Sequence, residues 1–160
     1  MPDTAPTTDD RAPSLVVTEL VDHVLALAAT WPSWDGTPRR SGDRIYTPHK
    51  AIRRVADHLI DHLAEVEARL AGTEPQKDAW HASAITTAAD LATFTEDDLD
   101  EARSRLTRLA EIWRLRLDAL TDAELDRHSG GWSVRELAFH VAESAFYADA
   151  VGNLAPRTPA

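Results

Sequence analysis

The stretch PHKAIRRVADHLIDHLAEVEARL, residues 48–70, places apolar residues at every third or fourth position. That spacing puts the apolar side chains on one face of an α-helix. Thr47 is suited to cap the start of such a helix, and Pro48 fits its first turn because no backbone N–H is needed there. The stretch therefore predicts a long amphipathic helix that ends at Gly72. Its apolar positions are Ile52, Val55, Leu59, Leu63, Val66 and Leu70.

Two further segments, 15–29 and 95–120, have the same pattern. The first follows Pro13, and the second starts at Thr95, whose acidic neighbours suit a helix N-terminus. Both segments predict helices with one apolar face. The inward positions expected are Leu15, Leu20, Val24 and Leu27 in the first helix, and Leu99, Ala102, Leu106, Leu109, Ile112, Trp113 and Leu117 in the second.

A fourth helix is predicted over residues 134–153. Ser133 and Glu136 have the S-x-x-E spacing of a capping box, and a short helical turn is expected after Thr121. Four helices with one apolar face each can bury those faces together in an up-and-down bundle. The sequence therefore predicts an all-α fold, a four-helix bundle that forms a single domain over residues 13–154.

The remaining segments lack helical periodicity. Residues 31–46 contain two Pro, two Gly and two Trp residues, which predicts a long loop. Residues 73–94 are mixed and predict only a short helix over 87–92. The ends, 1–12 and 155–160, have almost no apolar periodicity and predict disordered tails. Buried anchors within 73–94 are expected at Trp80, His81 and Ile85.

The composition excludes several classes of function. The chain has 17 basic and 27 acidic residues, a net charge of -10, and no basic cluster, so nucleic acid is not expected as a partner. It has no Cys, which excludes disulfides, thiolate nucleophiles and Cys-type zinc sites. No uninterrupted apolar run reaches about 18 residues, and the acidic N-terminus differs from a signal peptide, so we expect a cytoplasmic protein without membrane contact. Abundant Arg with few Lys suggests a high-GC bacterial source.

His58 and His62 stand four residues apart in the helix predicted over 48–70. Their side chains therefore lie one above the other, about 6 Å apart, close enough to share one metal ion. His140 lies beside the apolar face of the fourth helix and offers a third ligand. Three imidazoles leave an open coordination position, which suits a catalytic Zn, Ni or Fe ion that activates bound water.

The same residues have a structural interpretation. An H-x-x-x-H spacing arises by chance fairly often in a chain with seven His, and hydrogen-bonded imidazoles without a metal are the alternative. Glu136 fits a capping box better than a metal site, and His49 and His128 are expected to be solvated or loop residues. Asp57 and Asp61 are candidate acceptors for the ligands, but a rotation of about 100° per residue favours solvated carboxylates. No functional role is assigned to His23 and His81.

The segment GWSVRELAFHVA, residues 131–142, resembles the W-[ST]-[VP]-R-x-x-x-x-H-[LV]-[AV] motif of the DinB/YfiT-like superfamily. DHLIDH, residues 57–62, resembles the H-x-x-x-H pair of the same family. In that family the motif His and the pair bind one metal, which implies that His58, His62 and His140 are the ligands. Typical members carry the W-S-V-R segment first, whereas this chain carries it last, an order consistent with a circular permutation.

The resemblance implies a helical bundle, often dimeric, with a divalent-metal site in a cleft. Characterised members include thiol-dependent transferases and isomerases, some of which use mycothiol or bacillithiol. We therefore expect a metal-dependent enzyme with a low-molecular-weight thiol cosubstrate, a small-molecule substrate and a homodimeric assembly. The loop over 31–46 is a candidate entrance that holds an anionic cosubstrate, with a solvated loop as the alternative. Its residues for that role are Trp31, Trp34, Arg39, Arg40 and Tyr46.

Two other classes of function stay open. One is a non-catalytic metal-binding or stress-associated interaction protein, whose bundle serves dimerisation. In the other, the histidines are only polar groups in a bundle that binds other proteins. A stoichiometric metal is expected for the enzyme and for the non-catalytic metal-binding protein, but not for the bundle that only binds other proteins. A closed coordination sphere would distinguish a structural metal from a catalytic one.

Overall fold

The computed structural model describes residues 4–77 and 84–156. This part of the chain is mostly helical and contains one two-stranded sheet, which confirms the all-α class. Strands β1 (Arg39–Ser41) and β2 (Arg44–Tyr46) form a hairpin, and single 3-10 turns cover Trp31–Ser33 and Ala89–Leu91. The helices are α1 (Pro13–Ala28), α2 (Pro48–Leu70), α3 (Glu96–Asp118), α4 (Asp122–Leu125), α5 (Val134–Ala142) and α6 (Ala145–Val151).

Side-chain caps fix where four of these helices begin. The hydroxyl of Thr47 accepts a hydrogen bond from the backbone N–H of Lys50 at 3.2 Å, with Pro48 at the first helical position. The other three caps are full capping boxes, in which the second side chain also bonds back to the cap residue. The predicted starts of α2, α3, α4 and α5 are therefore confirmed. The boxes join Thr95 to Asp98, Thr121 to Glu124 and Ser133 to Glu136.

The helices bury their apolar faces in one continuous core. α1 packs against α3, α5 and α6, and α2 packs against the same three helices. The indole N–H of the fully buried Trp113 in α3 donates to the backbone carbonyl of Leu59 in α2 at 3.0 Å. These contacts bring one face of α2 against α5, which begins within the G-W-S-V-R segment, and against α6.

Three residues expected to face inward are exposed instead. Leu15 and Leu70 lie in the end turns of α1 and α2, and Ile112 of α3 is 48% exposed. A helix turns by about 100° per residue, so Ile112 and its neighbour Trp113 cannot both point at the centre of the core. The tryptophan takes that position.

The single helix predicted over 134–153 is wrong, because the chain forms two helices there. Between α5 and α6, the backbone N–H groups of Glu143 and Ser144 bond to carbonyls three residues back, each at 3.0 Å, instead of four. Both residues keep right-handed helical dihedral angles, so the chain tightens into a 3-10 turn. After α6, Gly152 adopts a φ of 79°, which ends the helix.

The segment predicted as a loop, 31–46, contains a hairpin that the sequence analysis missed. β1 and β2 pair antiparallel with Ser41 opposite Arg44, and Gly42 and Asp43 make the turn. Gly42 has a φ of 61°, a conformation that Gly adopts at no steric cost. The Gly-Asp pair between two short runs was the available signal. The hairpin packs against α6.

The segment that leads into α3 differs from expectation at one residue. Ile85 is 56% exposed, so its prediction as a buried anchor is wrong, while Trp80 and His81 lie outside the described residues. The 3-10 turn at Ala89–Leu91 falls within the short helix predicted there. Its buried Asp90 pairs with Arg53 of α2 at 2.6 Å, which fixes the turn on α2.

One segment of the described chain, Pro13–Ser33, is long and apolar enough to cross a membrane, with a mean hydropathy of 1.3. Core helices of soluble proteins pass the same test of length and composition. Most of its apolar side chains are buried against α3, α5 and α6, as in a core helix. The segment is therefore only a weak indication of a membrane span.

We expect Trp113→Ala to lower the free energy of unfolding by about 3–5 kcal/mol, because it removes a fully buried ring and its hydrogen bond to Leu59. The matched control is Ile112→Ala on the same helix, which should change stability by no more than about 0.5 kcal/mol. Urea unfolding followed by circular dichroism measures both. Equal destabilisation by the two variants would contradict this orientation of α3.

Candidate metal centre

Three histidines from two helices lie together, and we call them the histidine cluster: His58 and His62 of α2 and His140 of α5. The ring centroids are 4.9 Å apart for His58 and His62, 4.9 Å for His58 and His140, and 5.0 Å for His62 and His140. One ring nitrogen from each residue lies within 4.8 Å of the other two. The histidines chosen from the sequence therefore converge on one point.

The last turns of α2 hold α5 in place beside this cluster. The guanidinium of Arg69 donates to the backbone carbonyl of Trp132 at 2.5 Å, just before the Ser133 cap of α5. The same guanidinium pairs with Glu65 at 2.5 Å. The ring of Trp132 in turn lies 4.7 Å from the ring of His140. The position of His140 relative to α2 is thus set by hydrogen bonds near the start of its helix.

Two carboxylates contact the Nδ1 atoms of His62 and His140. Glu65 lies 2.8 Å from Nδ1 of His62, and Glu143 lies 3.3 Å from Nδ1 of His140. A carboxylate at this position favours a proton on Nδ1 and leaves the lone pair on Nε2, which is how proteins commonly orient a metal-binding histidine. Each carboxylate follows its histidine by three residues. Neither carboxylate was predicted from the sequence, although the repeated H-x-x-E spacing was present.

Burial favours the neutral form of His58, the most buried histidine of the cluster. His58 is 7% exposed and His62 is 9% exposed. Burial, together with the nearby rings of His62 and His140, lowers the pKa of His58 to about 2. The hydrogen bond from His62 holds the pKa of Glu65 below its usual value. A neutral imidazole has a lone pair to offer to a metal near pH 7, whereas a protonated one does not.

No family model, curated protein or solved structure matches the chain. The resemblance to the DinB/YfiT-like superfamily therefore rests on the motif residues alone.

The other polar residues considered as ligands lie elsewhere. Glu136 accepts a hydrogen bond from the backbone N–H of Ser133 at 2.7 Å, as a capping residue does. His128 is exposed, and Nε2 of His49 lies 3.0 Å from the carbonyl of Thr93. Among residues 4–77 and 84–156, the histidine cluster is the only group of three or more His, Asp or Glu side chains that lie close enough to hold a metal ion.

The two aspartates on α2 are partly buried. Burial raises the pKa of Asp57, which lines a cleft of about 320 Å³ that also contains Arg53 and Phe94. Because a helix turns by about 100° per residue, the α2 residues that line this cleft lie on the side of the helix opposite His58 and His62. The side chain of Asp57 therefore points away from the histidine cluster, but it is partly buried rather than solvated as predicted.

The aromatic residues of the predicted entrance loop are buried instead. The fully buried Trp31 donates its indole N–H to the carbonyl of Gly152 at 2.8 Å, and Trp34 donates to the carbonyl of Thr37 at 2.9 Å. Tyr46 is 2% exposed and lies against α6. These three residues are core anchors, so both the entrance role and the solvated alternative are wrong for them. Arg39 and Arg40 are exposed on β1.

Proposed function

We propose that the histidine cluster binds a divalent metal ion, Zn, Ni or Fe, and that the protein is a DinB-like metal-dependent enzyme of the thiol-transferase type. The observation that carries this proposal is the approach of three imidazole nitrogens to within 4.8 Å of one another from two separate helices. Three converging imidazoles, two of them buried and two with a carboxylate at Nδ1, are a donor set that suits these metals. Three protein ligands leave a coordination position for a substrate.

The packing of the helices supports the family relationship. The W-S-V-R segment starts α5, the H-x-x-x-H pair lies on α2, and the two helices contact each other. In a circularly permuted DinB-like four-helix bundle the same contact is required, although the two segments occur in reverse order along the chain. The four members of that bundle would be α1, α2, α3 and the α5–α6 pair.

The chain itself supplies binding and orientation. A bound divalent ion would supply Lewis acidity that stabilises the thiolate of a small-molecule thiol, which is then the nucleophile. This assignment agrees with the absence of Cys from the sequence. Because His58 and His62 are buried, their side of the site is shielded from water. Glu65 and Glu143 orient the rings of His62 and His140.

The metal content of the purified protein tests the first half of the proposal. Wild type is expected to retain about one divalent ion per chain after dialysis, as a site of three imidazoles does. His58→Ala, His62→Ala and His140→Ala should each lose stoichiometric metal, because two imidazoles with water hold an ion much less tightly. Inductively coupled plasma mass spectrometry gives the ratio of metal to protein for each variant.

His23→Ala is the matched control, because His23 is an exposed imidazole of α1 that pairs with Asp149 at 2.6 Å. It should retain the wild-type metal content. Full metal retention by any one of the three cluster variants would contradict the shared site. Circular dichroism of every variant separates loss of metal from loss of fold.

A thiol panel tests the second half. With mycothiol or bacillithiol and a chromogenic aryl halide, metal-loaded wild type is expected to transfer the thiol, and chelation should abolish the reaction until the metal is restored. His140→Ala should lower the rate by at least about 100-fold, since even residues behind the ligands are worth 10- to 100-fold in metal sites. Stoichiometric metal without activity toward any thiol would support the non-catalytic metal-binding alternative.

A further inference from the structure

A cleft between α2 and α3 is separate from the candidate metal centre, and we call it the α2–α3 cleft. It is lined by side chains from residues 49–60 of α2, from residues 89–94 and from residues 98–105 of α3, and its volume is about 320 Å³. Sites for small organic molecules have volumes of about 300–1,000 Å³. The cleft is therefore large enough for one small molecule, and the proposed metal function makes no use of it.

The walls of the α2–α3 cleft are largely apolar. Ile52 and Ala56 of α2 and Ala102 of α3 contribute buried side chains, and so does the ring of Phe94. Ile60, one turn beyond Ala56 on α2, lines the same cleft and is exposed. Transfer of a hydrocarbon group from water to such a surface is favourable. The cleft therefore matches a ligand with an apolar part.

Most of the charged side chains that line the cleft bind one another. Arg53 pairs with Asp90 at 2.6 Å, and Arg105 pairs with Glu101. Asp98 serves the capping box that starts α3. Each of the two guanidiniums is therefore balanced by a carboxylate of the same cleft.

Asp57 of α2 is the exception among these carboxylates. It makes neither a hydrogen bond nor an ion pair within the part of the chain that the structure describes. Burial raises its pKa, although the nearby charges of Arg53, Arg54 and Arg105 act in the opposite direction. The ionised carboxylate is therefore less stable in the cleft than in water, and a cation bound beside it would stabilise it.

The arrangement favours an organic cation over a metal ion. Ca²⁺ and Mg²⁺ need several oxygen ligands, and the carboxylates of the cleft do not converge on one point, since the histidine cluster is the one metal-competent group in the described segments 4–77 and 84–156. An ammonium group needs only one carboxylate, to which its N–H groups donate charge-assisted hydrogen bonds. An anion would instead meet guanidiniums that already bind Asp90 and Glu101.

We propose that the α2–α3 cleft binds a small organic amine in its ammonium form. Asp57 accepts hydrogen bonds from the ammonium group, and Ile52, Ala56 and Ala102 pack against the hydrocarbon part of the ligand. This site goes beyond the proposed metal function and does not depend on it, because the cleft lies on the side of α2 opposite His58 and His62.

The test compares three probes that share one aromatic ring and differ in charge: benzylammonium, benzyl alcohol and benzoate. Each is titrated at pH 7 into the full-length, ¹⁵N-labelled protein, and NMR chemical shifts give the Kd and the residues affected. Benzylammonium should bind about 10-fold more tightly than benzyl alcohol, as expected for hydrogen bonds to a charged group, and benzoate should bind more weakly than both. The largest shifts should fall on residues of the α2–α3 cleft.

Asp57→Asn should raise the Kd of benzylammonium about 10-fold and leave the Kd of benzyl alcohol within about twofold. The variant should stay folded, because no hydrogen bond within the described chain is lost. Asp100→Asn is the matched control, since it removes the same charge from an exposed position of α3 outside the cleft, where Asp100 pairs with Arg103. It should bind all three probes as wild type does.

An unchanged Kd of benzylammonium in Asp57→Asn would overturn the proposal, and so would equal affinity of the wild type for the three probes. Tightest binding of benzoate would also overturn it, because the arginines would then select the ligand. The titration is repeated after treatment with a chelator. Benzylammonium binding should persist without metal, and its loss would place the amine at the histidine cluster instead. A wild type that holds no metal but binds benzylammonium through Asp57 would overturn the metal function and leave this site standing.

Discussion

The contact between α2 and α5 requires three imidazole rings to share one largely buried space. Imidazolium ions cannot do so, because each would lose its hydration and repel the others, and the pKa of His58, lowered to about 2, expresses that constraint. His58 is therefore neutral at physiological pH. Three rings with converging nitrogens, two of them in contact with a carboxylate, form a preorganised ligand set for a cation. The other features of the site serve to hold this arrangement.

The hydrogen bonds around Arg69 connect the two halves of the cluster. Arg69 pairs with Glu65, Glu65 orients His62, and Arg69 also holds the carbonyl that precedes the cap of α5, the helix of His140. One partly buried side chain thus links the position of α5 to the orientation of the His62 ring. Arg54, one turn before His58 on α2, donates a hydrogen bond to the hydroxyl of Tyr147. The face of α2 toward α5 and α6 is consequently polar over most of its length, whereas the remainder of the core is apolar.

Local signals in the sequence were sufficient for the helix starts and for the choice of His58, His62 and His140. Caps such as Thr47 and Ser133 act within four residues, and the H-x-x-x-H spacing depends only on the helix period, so neither needs knowledge of the fold. The link between His140 and the pair was a hypothesis from their places beside the apolar faces of two helices, which the family resemblance strengthened, since no local rule joins residues about 80 positions apart. The repeated H-x-x-E spacing that adds the carboxylates was readable but was overlooked.

Other features depend on packing between distant segments and were not predictable in this way. The break at Glu143 and Ser144 lies inside a continuous helical pattern, and the burial of Trp31 depends on a bond to Gly152, which is 121 residues away. Tyr147 gave no signal because its partner Arg54 lies on another helix, 93 positions earlier in the chain. Propensity and periodicity describe single elements, whereas these contacts arise only when elements pack.

Anomalous X-ray scattering from crystals of the Zn²⁺- or Co²⁺-loaded protein tests the central claim most directly. We expect one strong peak enclosed by α2 and α5, at about 2.0–2.3 Å from one ring nitrogen of each of His58, His62 and His140. A peak bound by only one of these rings, a peak on surface carboxylates, or no peak in this region would contradict it.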